Sequence, residues 1–277
     1  MGRTVADAAA LLGAMTGIDP RNSITKQSEG RFYTDYSQFL EANGLKDSRI
    51  GVIRNLFGFD ERVDAIMEDS IDVMKKNGAQ IIDPTEVPTT DDLWDPEYQV
   101  LLYEFKENLN KYLEGFGPDA PVKSLEEIIE FNKANREKTM PIFGQDIMIK
   151  AQEKGSLESK EYLEALEKCK ELAKFEDLDK VLKENKLDAL IAPSGGPAWL
   201  TDHVVGDHFS GGSSSLAAVS GYCSITVPAG YISGLPVGIS FISGPYQEPK
   251  LIRLAYSFEQ TTKVRVPPQF KPSVEIE

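Results

Sequence analysis

Residues 187–199 read LDALIAPSGGPAW, residues 211–230 read GGSSSLAAVSGYCSITVPAG, and residues 235–260 read LPVGISFISGPYQEPKLIRLAYSFEQ. Short apolar runs rich in Ile and Val alternate here with Gly, Pro and Ser. That pattern is the signature of buried strands joined by loops. Leu187–Ala192 reads as a strand, and Ser194-Gly195-Gly196-Pro197 as a loop at its C-terminal end, where open α/β sheets place ligand sites. Ser213–Ser220 reads as a short helix of small residues. Ser224–Pro228 and Val237–Ile242 read as an antiparallel pair joined through Ser233-Gly234, which makes the sheet mixed. Pro249 stands in the first turn of a final helix, where its missing N–H costs nothing. Leu251, Leu254, Ala255 and Phe258 face inward from that helix.

Upstream, the chain reads as helices that cover such a sheet. Val5, Ala8, Ala9, Leu12 and Met15 recur at helical spacing behind a Thr4/Asp7 capping box. Asp7 breaks the early apolar run, so this N-terminus reads as a packed helix and not a secretory leader. Residues 19–48 read as a surface connection. Arg49–Ile53, a helix from Phe59 to Lys76, and Ala79–Ile82 form a βαβ unit, which implies parallel pairing. Residues 97–186 read as a charged helical cover of the same single domain. Ser124 caps one helix there, and a long helix runs from about Ser159 to Lys183. The expected fold class is therefore α/β, a mixed sheet covered by helices.

Composition narrows the function classes. The 277 residues carry a net charge of −14, with 41% hydrophobic and 27% charged residues. An acidic surface repels nucleic acid and anionic membrane, so neither is an expected partner. Two cysteines, Cys169 and Cys223, form no disulfide framework, which fits a reducing cytoplasm. His203 and His208 are too few for a metal site, and no apolar run is long enough to span a bilayer.

Three segments resemble the amidase signature family: GRTVADAAALLGAMTGIDP at 2–20, LDALIAPSGGPAW at 187–199, and SLAAVSGYCSITVPAGYISGLPVGISFISGPYQEPKLIRLAYSFEQTTK at 215–263. The resemblance implies a mixed sheet wrapped by helices and hydrolysis of a carboxamide by a Ser–cis-Ser–Lys triad, without metal or organic cofactor. In that family the catalytic residues precede the GRTVADAA segment. The resemblance therefore implies a C-terminal part of an amidase, with no catalytic residue in this chain and no activity alone. Ser194, Trp199, His208 and Ser210 are the implied substrate-pocket residues, and a small-molecule amide the implied substrate of the complete enzyme.

The run Gly211–Ser215 is similar to the family's Gly/Ser-rich signature, yet no lysine precedes it at the matching distance. A serine hydroxyl without an oriented base is a weak nucleophile. The run reads instead as a helix N-terminus with a capping serine. No GxSxG elbow is present, and the nearness of His208, Asp207 and Asp202 in sequence is no measure of triad geometry. A half-covered sheet would also expose the Ala-rich face of residues 5–16 and an unpaired strand edge. Self-association is the expected consequence.

Overall fold

Leu190, Ile191 and Ala192 are completely buried, and they form the middle of the sheet. The structure is a computed structural model that describes residues 1–87, 91–271 and 273. Its strands are β1 (Arg49–Ile53), β2 (Gln80–Thr85), β3 (Ala189–Pro193), β4 (Cys223–Ile232) and β5 (Leu235–Ser243). They pair in the order β2-β1-β3-β5-β4. β1 is parallel to β2 and β3, whereas β5 is antiparallel to β3 and β4. The sheet is thus mixed. Ser233 and Gly234 both take positive φ in the β4–β5 turn, as a two-residue hairpin with native twist requires.

The helices are α1 (Val5–Met15), α2 (Glu61–Lys76), α3 (Trp94–Glu114), α4 (Leu125–Ala134), α5 (Arg136–Thr139), α6 (Asp146–Gln152), α7 (Lys160–Lys170), α8 (Lys180–Glu184), α9 (Ser214–Ser220) and α10 (Glu248–Thr262). Contacts divide the chain into two compact units. One comprises Met1–Pro88, Ala173–Trp199 and His208–Glu277. The other comprises Thr89–Leu172 and Leu200–Asp207.

In the first unit the sheet is covered on both faces. On one side Val52, Ile191, Ile239 and Phe241 pack with Met67 and Ile71 of α2 and Leu254 and Phe258 of α10. On the other, Leu190, Ala192 and Ile242 pack with Val181 of α8 and Leu216 and Ala217 of α9. β3 is buried along its whole length, which explains its unbroken apolar sequence. Asp60 caps α2 by accepting from the Arg62 N–H at 2.9 Å, and the Arg62 guanidinium holds its carboxyl down to about 2.

The capping box of α1 is present as expected, with Thr4 accepting from Asp7 N–H and Asp7 accepting from Thr4 N–H. Its small-residue face is not left bare. Val5 and Ala9 are buried in the core that α10 shares, and Val5 N–H donates to Glu259 at 2.9 Å. Gly13 meets the Thr34 backbone so closely that a Cβ would lie 2.5 Å from its carbonyl oxygen. Covering this face corrects the expectation of an exposed one, although Leu11 and Met15 do face solvent. Residues 19–48 are also more than a surface connection. Tyr36 and Leu45 are buried, and the Ser257 hydroxyl of α10 accepts from Leu45 N–H at 3.2 Å and donates to Ala42 O at 2.8 Å.

The second unit is helical. Leu102, Leu125, Ile129 and Ala151 form its core. Tyr103 donates to Glu161 at 2.5 Å and Tyr162 to Glu104 at 2.8 Å, a reciprocal pair of links between α3 and α7. Burial, and then the Glu104 hydrogen bond, push the Tyr162 hydroxyl up to about 12. After α7 the chain does not continue as regular α-helix. Residues Glu171–Asp179 wind as a π-helix before α8, interrupting the single helix read from Ser159 to Lys183.

Candidate functional site

The C-terminal end of β3 is where the polar groups gather. Ser194 N–H donates to Gly238 O at 2.9 Å, continuing the β3–β5 pairing by one residue. Its hydroxyl lies 2.6 Å from Thr226 Oγ1 on β4 and 2.8 Å from Ser240 Oγ on β5. Thr226 and Ser240 face each other across the hairpin, inside β4 and β5, so Ser194 at the end of β3 completes a cluster of hydroxyls across three neighbouring strands. Each hydroxyl brings one proton and two lone pairs. Two mutual bonds use two of the three protons, which leaves one O–H and several lone pairs for a ligand's carbonyl and N–H.

Two loops frame this cluster. Gly195 pairs with Gly212 in an antiparallel bridge, which draws the 194–199 loop and the 208–213 loop together. Ser210 presses against Gly196, where no Cβ fits, and the Phe59 ring lies 2.5 Å from where a Cβ on Gly211 would stand. Trp199 meets Phe209 edge-on, with ring centroids 6.3 Å apart at 72°. Trp199 is 42% and Phe209 72% exposed, so both present apolar surface to solvent beside the hydroxyls.

The expected pocket residues take different places in this arrangement. Ser194 is half-buried and central, and Ser210 stands on the neighbouring loop beside Gly196. Trp199 lies on the same rim, and His208 is exposed on the second loop. Thr226, Ser240, Phe59 and Phe209 were missed. The signal for Thr226 and Ser240 was available: each is a hydroxyl set inside an apolar strand.

Of the serines on the second loop, Ser210 is exposed and Ser213 is buried. Ser213 is 4% exposed and its Oγ has no hydrogen-bond partner. It occupies the N-cap position of α9 without making the cap bond, which corrects the reading of a capping serine. Its backbone (φ −125°, ψ 12°) departs from the extended conformation usual at a cap. Asp202, in the other unit, accepts from the N–H groups of Val204 and Val205, and these hold its carboxyl below the usual range. Among the described residues no group of three or more His, Cys, Asp or Glu is placed to hold a metal ion. No helix among them is long and apolar enough to cross a membrane.

A family model described as Amidase matches residues 1–252. The chain belongs to the amidase family. It is 35% identical over 277 residues to a probable amidase of Arabidopsis thaliana, covering 97% of this chain and 49% of that protein. The X-ray structure of native peptide amidase from Stenotrophomonas maltophilia matches at a TM-score of 0.90 and 38% identity, over 98% of this chain and 54% of that one. The crystal structure of an amidase family protein from Bacillus anthracis matches at a TM-score of 0.80 and 33% identity, over 98% of this chain and 49% of that one. The chain spans about half the length of the curated relatives it matches. The mixed sheet with its helices on both faces is the amidase fold.

Proposed function

We propose that this chain is the C-terminal part of an amidase that adds water across a carboxamide C–N bond, giving a carboxylate and an amine or ammonia. In this reading the chain supplies the sheet core and one wall of the substrate pocket. The observation that carries it is the likeness to the peptide amidase over nearly the whole chain. The site geometry supports the division of labour. Ser194, Thr226 and Ser240 offer hydrogen bonds to an amide, and Trp199 and Phe209 offer an apolar rim. Among the described residues none of these serines has a basic partner, and the Ser213 hydroxyl makes no hydrogen bond. We therefore place the nucleophile and its base on a separate segment. The net charge of −14 favours a small-molecule amide over a nucleic acid as substrate, and a cytoplasmic setting suits two free cysteines.

The 277-residue chain is expected to show no turnover of a simple aryl or aliphatic amide. Turnover that disappears in Ser213→Ala would overturn this. Supplied in trans with a segment bearing the family's lysine and Gly/Ser-rich signature, the chain is expected to restore turnover, and Trp199→Ala then to raise KM.

A second reading, a non-catalytic module that self-associates, is favoured by the free edge of β4. An unpaired edge strand is a template for another strand, although Pro228 interrupts its row of N–H donors. In sedimentation velocity the chain alone is expected to run as a dimer or larger species. A monodisperse monomer at high concentration would count against this.

A further inference from the structure

Roughly 10 Å along β4 from the hydroxyl cluster, at three residues of strand rise, lies a cavity of about 760 Å3. It opens where residues 24–31, the Gly221–Cys223 turn and the Pro245–Glu248 turn approach one another. Its volume falls within the range of small-molecule sites. Cys223 is not a reactive group there. The thiol donates to Gly244 O at 3.1 Å and accepts from Gln247 N–H at 3.2 Å, while burial, then the Glu248 charge, push it up to about 12.

The charges on the wall are arranged unusually. Arg31 stacks over the Tyr246 ring, 5.0 Å from its centroid, and makes no ion pair among the described residues. Lys174 lies 5.8 Å from the centroid of the Tyr222 ring. Glu248, the first residue of α10, is half-buried on the wall with its carboxylate against the Cys223 thiol, and its oxygen Oε2 is enclosed with no hydrogen-bond partner among the described residues. A buried acceptor left without a donor costs about 1–3 kcal/mol. Arg31 and Glu248 thus line one cavity with opposite charges and do not pair with each other. Tyr246 lines the same cavity. It holds a left-handed backbone at φ 60°, a strained conformation for an aromatic residue, and its hydroxyl donates to Gln27 O at 3.0 Å.

Unlike charges held apart across a cavity match a ligand that carries both signs. A dicarboxylate would meet Glu248, and a diamine would meet Arg31 and Lys174. We propose that this cavity binds a small zwitterion of dipeptide size, its ammonium at the Glu248 carboxylate and its carboxylate on Arg31. The site lies outside the hydroxyl cluster and stands independently of the amide-hydrolysis reading.

Isothermal titration calorimetry of the 277-residue chain with glycylglycine, glutarate and cadaverine tests this. Glycylglycine is expected to bind saturably, and at least about tenfold more tightly than either single-sign probe. Arg31→Ala and Glu248→Gln are each expected to weaken it by a similar factor, and Arg31→Lys to retain part of the affinity. Arg31 is exposed and at the surface, so its variants report on binding and not on folding. Equal affinity for glutarate, no saturable binding of glycylglycine, or unchanged binding in both charge variants would each overturn the proposal.

Discussion

Phe258→Ala is expected to lower the stability of the chain by about 3–5 kcal/mol, the usual cost of emptying a buried aromatic site. The ring is fully buried and lies 6.0 Å from the Phe241 ring at 63°, an edge-to-face contact between α10 and the middle of the sheet. α10 also buries Leu251, Ile252, Leu254 and Ala255, and its Ser257 hydroxyl holds the 42–45 segment by two hydrogen bonds. A cavity at Phe258 therefore sits where sheet, α2 and α10 share one core. Domain stabilities are only about 5–15 kcal/mol, so the variant is expected to approach the folding threshold. A urea titration should show the midpoint falling with little change in slope. Phe131→Ala is the control. That ring is 53% exposed, and its loss is expected to cost under about 0.5 kcal/mol. Equal effects of the two substitutions would show that α10 is not the organising helix of this core.

The elements legible in the sequence are those specified by short-range chemistry. The Thr4/Asp7 capping box, the Ser233-Gly234 turn and the β1–α2–β2 unit each follow from residues within one helix turn, hairpin or crossover, and each is present. The fold class followed from them. The position of β3 did not. It inserts between β1 and β5, pairing Ile50 with Ala189 and Leu190 with Ile242, and no local pattern encodes a partner so far along the chain. The burial of Tyr36 and Leu45 was hidden for the same reason, because both join a core that α10 shares from the far end of the sequence, Leu45 through a hydrogen bond to Ser257. In the site, Ser194 was visible as a polar residue at a strand end. Its partners Thr226 and Ser240 became a cluster only through strand register. Ser213 misled because cap preference is a statement about backbone conformation, and its backbone adopts another.

The second large effect is expected at Gly211. Gly211→Val should part the two loops while leaving most of the core intact. The position has φ 157°, at the limit of what a side-chain-bearing residue tolerates, and a Cβ there would lie 2.5–3.0 Å from three atoms of the Phe59 ring. Contacts that short are not met in folded proteins, so either the ring or the loop must move. The ring is packed against the principal core. The loop carrying Gly211 is largely exposed and is joined to its neighbour by the Gly195–Gly212 bridge, so it is the weaker side. Breaking that bridge lets the 208–213 loop part from the 194–199 loop, which Ser194 still ties to β4 and β5, and so changes the relation of Phe209 and Ser210 to the hydroxyl cluster. Hydrogen exchange in the bridged segments 194–196 and 211–213 should accelerate, as should proteolysis within 194–212, with a much smaller change in global stability than Phe258→Ala produces. If the clash with Phe59 is the cause, Phe59→Ala should partly restore protection in the double variant, a coupling of the size seen between residues in contact, about 0.5–3 kcal/mol. Additive effects of the two substitutions would place the strain in the glycine's backbone and not in its contact with Phe59.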